Sequence, residues 1–208
     1  MRVAAIAALF LATSIAGLTS GPDATAGPTD EPELSGYTCC NFHYNKTDSI
    51  SDANWSSLPM IPAGAPIRTL SYSGYGITVL VDHPWYARKM RLDLDYGRKQ
   101  NLADWARKMI VKDDPKRKIA SWSAPVRDAI RAGRIAIGMT KEQAVIAVGY
   151  PPSHETPSLD SAQWKYWYGR FDTFLVSWDD LGRVKDVVAE PQTRSAVMLL
   201  EAVRIDGR

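Results

Sequence analysis

Residues 135–151 read IAIGMTKEQAVIAVGYP, and the reading of this stretch decides the C-terminal half of the chain. Thr140 followed three residues later by Gln143 is a capping box, in which a hydroxyl and an amide side chain each satisfy one of the orphan N–H groups at a helix start. Gly149 and Pro151 stop the helix, because glycine takes dihedrals beyond the last turn that other residues resist and proline cannot continue the ladder. Between these ends Ala144, Val145 and Val148 supply an apolar face at three- and four-residue spacing. A helix this short draws its stability from packing. Its cover is the alternating stretch downstream, where Trp164, Tyr166 and Tyr168 interleave with Lys165 and Trp167, and Phe174, Val176 and Trp178 with Leu175 and Ser177.

Working outward, Pro125 suits the first turn of a preceding helix whose apolar face, Val126, Ala129 and Ile130, ends at Gly133. Strands are predicted at Gln163 to Tyr168, Thr173 to Trp178 and Arg183 to Val188, the last two joined through Asp179-Asp180-Leu181-Gly182. Two helices followed by a three-stranded antiparallel meander make an α+β unit over 122–190, with a C-terminal helical tail at 191–208. Upstream, 39–115 reads as a small, mainly-β domain. Strands alternate at Ile67 to Tyr72, Gly76 to Val81 and Arg88 to Leu94, forming a small sheet or a partly closed barrel. A helix follows at about 99–111 with Leu102, Trp105, Ala106, Met109 and Ile110 on one face. The basic outer side of that helix is compatible with peripheral membrane contact as well as with a solvated back. The charged stretch to Lys118 is the predicted boundary between the two domains.

Arg2 precedes an apolar run from Val3 to Leu11 that continues in small residues to Leu18, so 1–26 reads as a signal peptide cleaved after Ala24-Thr25-Ala26, with Leu18-Thr19-Ser20 as the rival site. The run is shorter than the roughly 20 residues that span a bilayer, and an uncleaved anchor is the weaker alternative. Residues 27–38 form a linker rich in Gly, Pro, Thr and acidic residues. A composition 45% hydrophobic and 23% charged is that of a globular chain, and a formal charge of +2 is too small an excess to argue for nucleic acid.

Cys39 and Cys40 are the only cysteines, and in an exported chain they require an account. A bond between them, a bond to another chain and free structural thiols all stay open. A metal site would need more ligands than these two and His43. Lipid attachment would need a small-residue motif directly before the cysteine, where Tyr37 and Thr38 stand instead.

The segment from about Ile130 to Val188, with Gly138-Met139-Thr140, Gln143, Gly149-Tyr150-Pro151, Trp164-Lys165-Tyr166 and Val176-Ser177-Trp178, resembles the SmpA/OmlA family of BamE-like domains. The resemblance implies two helices packed on a three-stranded sheet, a periplasmic or outer-membrane-associated location, and a protein partner, among them the subunits that assemble outer-membrane proteins. The same architecture serves exported inhibitors and ligand-binding modules that act through an exposed sheet face. Gly138, Met139, Thr140, Gln143, Gly149 and Pro151 read as fold markers. Binding falls to the aromatics Trp164, Trp167, Trp178 and Tyr166. Trp164 and Trp167 point to opposite faces of one strand, so one is core and the other is covered by a partner, the N-terminal domain or the final helix.

Nothing nominates an enzyme, a cofactor or a metal. There is no Gly-x-Ser-x-Gly turn and no phosphate-cradling loop. His43, His83 and His154 are far apart in sequence, and the pairs Asp179/Asp180 and Glu155/Asp160 are explained by turn solvation and loop polarity. The sequence reads as a non-enzymatic envelope protein that binds or scaffolds other proteins.

Overall fold

The computed structural model describes residues 31–83 and 86–199. The stretch expected to be a signal peptide, the first part of the expected linker and the tail beyond residue 199 lie outside the described residues. The fold is mixed α+β, as expected, with five helices among the described residues.

The described residues open with four short strands, β1 (Ser35–Thr38), β2 (Phe42–His43), β3 (Ser49–Ser51) and β4 (Met60–Ile61), followed by three long ones, β5 (Pro66–Ser73), β6 (Gly76–His83) and β7 (Tyr86–Asp93). Helix α1 (Leu102–Met109) leads directly into β8 (Ile110–Val111). The main sheet has the order β3-β7-β6-β5-β1-β8, and β2 pairs with β4 separately. The expected antiparallel meander is its centre. Ile67, Ile77, Val79, Val81, Met90 and Leu92 turn inward with Trp105 and Met109 of α1, so that helix packs on the sheet.

Three local assignments differ from the expectation. Ser35–Thr38 is a strand instead of linker, paired to β5 and β8. Gly36 makes this pairing possible, since a β-carbon there would collide with the Val111 carbonyl. Ile110 and Val111 leave the helix because their extended backbone closes the sheet edge against Tyr37 and Thr38. The charged stretch at 113–118 forms a further helix, α2 (Pro115–Ala120), started by the Asp114 side chain and by proline at the first turn.

The C-terminal part contains α3 (Ala124–Ala132), α4 (Lys141–Val148), the antiparallel strands β9 (Gln163–Trp167), β10 (Thr173–Trp178) and β11 (Val184–Val188), and α5 (Pro191–Val197). Gly133 ends α3 in the left-handed conformation, and Thr140 and Gln143 form the capping box at α4. Trp164, Tyr166, Phe174, Val176 and Trp178 fill a second core against α3 and α4. Helix α4 differs from the one-sided helix expected: Ala144 through Val148 are all buried. The sheet packs on one side and the 39–54 segment hydrogen-bonds to its C-terminal end, so these five residues are buried while the first turn, with Glu142, stays exposed.

Candidate functional site

The seam between the two cores is built from asparagines. Asn41 Nδ2 donates to the carbonyls of Ile130 (2.7 Å) and Ala147 (2.8 Å), and its Oδ1 accepts from Ala63 N–H (2.9 Å). Its own N–H donates to the Ile146 carbonyl at 3.0 Å. Asn54 Nδ2 donates to Val148 O (2.8 Å) and Asn41 O (3.0 Å), while its Oδ1 accepts from His43 N–H (2.7 Å). The last carbonyls of a helix have no partner within it, and here asparagines from the loops before β2 and after β3 supply partners. Burial of Ala144–Val148 is possible because the C-terminal end of α4 is satisfied in this way. Asp52 closes the same seam from outside. Its carboxylate accepts from the N–H groups of Asp95 (3.1 Å), Tyr96 (3.2 Å) and Gly97 (2.6 Å). Burial pushes its pKa up, against the pull of the Tyr96 and Gly97 amides.

Beside this seam runs a groove of about 700 Å³. One wall is α4, through Lys141, Glu142, Val145 and Ile146; the other is Val111 with the start of α2, through Asp113, Asp114 and Lys118. Cys39, joined to Cys40 by a disulfide, Tyr150 and Trp164 complete it. Lys118 and Glu142 pair across the rim. Lys141 Nζ donates to the Leu159 carbonyl at 2.6 Å and lies 5.3 Å and 5.7 Å from the ring centroids of Trp164 and Trp178. Tyr150 touches both cores, and burial followed by the Glu142 carboxylate pushes its phenol pKa up, so it stays neutral.

The aromatics named from sequence separate by face. Trp164, Tyr166 and Trp178 are 1%, 2% and 8% exposed, and their bulk serves the core. Trp164 Nε1 donates to Leu159 O (3.2 Å), and Tyr166 Oη donates to Gly149 O (3.3 Å). Trp167 is on the other face, half-buried beside Tyr96 (5.8 Å between ring centroids) and His154 (6.3 Å). Ser56 N–H donates to its carbonyl at 3.2 Å. Trp167 is thus partly covered by the Tyr96 and Ser56 loops of the N-terminal part and by His154 of the loop between α4 and β9. Gly138, Met139, Thr140, Gln143, Gly149 and Pro151 all flank or begin α4. Gly149 is at φ 86°, where a β-carbon would meet the Asn54 amide.

The histidines do not converge. His43 is in the seam, His154 stacks on Tyr96, and His83 ends β6 with its side chain outside the described residues. Among the described residues no group of three or more His, Cys, Asp or Glu side chains is placed to hold a metal, and no helix is long and apolar enough to cross a membrane. Sequence reasoning missed Asn41, Asn54, Asp52 and the groove-lining Asp113 and Tyr150. Each is defined by partners far away in the chain.

These features define a mixed α+β protein with a groove, among the described residues, where α4 faces the edge strand β8 and the start of α2. Comparison with family models, curated proteins and solved structures finds no match.

Proposed function

We propose that the chain is a non-enzymatic cell-envelope protein that binds another protein in the groove beside α4, in the service of outer-membrane protein assembly. The observation that carries this reading is the groove. Val111, Val145, Ile146 and the disulfide give it an apolar base, and Asp113, Lys118, Lys141, Glu142 and Asp160 give it a charged rim. A concave apolar base with a polar rim is where desolvation yields binding free energy and charges set the orientation. The order of two helices before an antiparallel meander supports the SmpA/OmlA resemblance, and with it a periplasmic or outer-membrane-associated place of work.

A second reading, an exported inhibitor or ligand-binding module, rests on the outer face of the three-stranded sheet. Lys165, Leu175 and Val188 lie in one cross-strand row there, with Trp167 beside them. Photoreactive residues at Leu159, on the groove rim, and at Leu175, on the outer face, separate the two when the protein is crosslinked in cells and its adducts are identified by mass spectrometry. Barrel-assembly subunits captured from Leu159 support the first reading. Capture from Leu175 alone transfers the contact to the sheet face, and no envelope protein from either position defeats both.

A further inference from the structure

We propose that the Cys39–Cys40 disulfide is a thiol-exchange site opening into the groove, and that the thiol it takes is one carried next to positive charge. The chain has two cysteines, adjacent in sequence and bonded to each other. Their surroundings differ. Both are buried in the core with Phe42 and Ile50, but Cys39, 7% exposed, also lines the groove, whereas Cys40 is 0% exposed and does not. Exchange proceeds by attack of a thiolate on one sulfur while the other leaves, and access decides which sulfur is attacked. Only Cys39 meets the groove.

An incoming thiolate therefore bonds to Cys39 Sγ. The electron pair of the broken S–S bond goes to Cys40 Sγ, which departs as a thiolate and takes a proton from water. The product is a mixed disulfide on Cys39 and a thiol at Cys40. Cys40 can attack back and expel the incoming thiol, restoring the starting state. A second thiol can instead attack the adduct, releasing a symmetric disulfide and leaving both cysteines reduced. The backbone around the pair is tied on both sides. Thr38 N–H donates to Ala65 O (2.9 Å), Cys39 N–H to Met109 O (2.9 Å) and Asn41 N–H to Ile146 O (3.0 Å). These bonds keep the two sulfurs close after opening, which favours the return step.

The groove selects the charge of the visitor. Asp113, Asp114, Glu142 and Asp160 line it against Lys118 and Lys141, so its balance is negative although the whole chain carries +2. Lys118 is engaged by Glu142, and Lys141 by the Leu159 carbonyl and two indole rings. A thiol beside an ammonium or guanidinium is drawn in, and one beside a sulfonate or carboxylate is repelled.

The test uses the folded full chain and two small thiols, cysteamine (cationic) and 2-mercaptoethanesulfonate (anionic), at equal thiolate concentration and low salt. The reaction is quenched in acid, the free thiols are alkylated after unfolding, and fragment ions between the two cysteines locate each label. The expected result is the mixed disulfide on Cys39 with the alkyl group on Cys40. Cysteamine should react faster by about threefold or more, a ratio that shrinks at high salt and in Asp113→Asn/Asp160→Asn. A Cys40→Ser chain, in which Cys39 is the only thiol, should take up cysteamine from cystamine without unfolding. Adducts on Cys40, protection of both sulfurs until denaturant is added, or equal rates for the two thiols would overturn the proposal. The inference uses the groove of the functional reading but needs no partner protein, so failed exchange leaves the crosslinking result standing, and the reverse holds equally.

Discussion

His43 is a buried imidazole with one nitrogen paired and the other not. Nδ1 lies 2.8 Å from the Leu58 carbonyl, so it carries the proton and donates, while Nε2 is buried without a partner in the protein. Burial lowers its pKa, outweighing the Leu58 carbonyl that pulls the other way. The native state then binds fewer protons than the unfolded state, and stability is lost as pH falls below the unfolded value of about 6.5. The loss can reach about 1.4 kcal/mol per pH unit for one group. Asp52 has the opposite sign: its raised pKa gives stability at acid pH that is lost as pH rises through the folded value. Urea midpoints of the wild type at pH 7 and 5.5 should therefore fall toward acid, and His43→Phe, which leaves Asp52 in place, should fall less. An equal fall would show that His43 is not the titrating group. Asn41→Ala leaves the Ala147 carbonyl and the Ala63 amide unpaired in the seam and takes one of two donors from the Ile130 carbonyl, which keeps Gly133 N–H, and should cost about 2–3 kcal/mol, read as a lower urea midpoint at unchanged slope. Neither asparagine was legible in the sequence. Their carbonyl partners on α3 and α4 are 89, 106 and 94 residues away, and a lone asparagine in a loop looks like any turn residue.

Helix α4 shows which elements can be read locally. Its start is written within four residues: Thr140 Oγ1 accepts from Gln143 N–H (3.3 Å), and Gln143 Oε1 accepts from Thr140 N–H (2.9 Å). Thr140→Ala should cost about 1 kcal/mol in chemical denaturation, the usual worth of such a cap. Gly149→Ala should cost more, about 2–3 kcal/mol. It forces a β-carbon onto a backbone at φ 86°, ψ 179° that is nearly restricted to glycine, and onto the Asn54 amide as well. If Gly149→Ala costs no more than Thr140→Ala, the close approach of Asn54 is not a constraint. The central meander β5–β7 and the strands β9–β11 were equally legible, because alternation and turn residues are local signals. The strands β1, β3 and β8 were not, since each has two to four residues and exists only through a distant neighbour. For α4 the apolar spacing revealed one face, whereas the five consecutive buried residues Ala144–Val148 reflect the sheet together with the 39–54 segment at the C-terminal end. No pattern in 135–151 announces that segment.

Across the molecule, the two cores seen in sequence as two domains are joined by directed hydrogen bonds as well as by packing. Tyr150 contacts both, while Asn41 and Asn54 tie the β2–β4 region to the ends of α3 and α4. Apolar contact alone would let each core open separately, but opening this seam strands buried carbonyls, which costs free energy before either core loosens. The two should therefore exchange with solvent as one cooperative unit. Native-state hydrogen exchange tests this by comparing the slowest amides of β6, in the first core, with those of β10, in the second. In the wild type their opening free energies should agree within about 1 kcal/mol. Asn54→Gly removes the amide that reaches Val148 without straining a backbone already at φ 44°, and in that variant the two sets should diverge as the cores open independently. Divergence already present in the wild type would mean that the cores unfold separately and that the asparagines merely fill the space between them. Agreement that survives Asn54→Gly would place the coupling in Tyr150 and the surrounding apolar contacts instead.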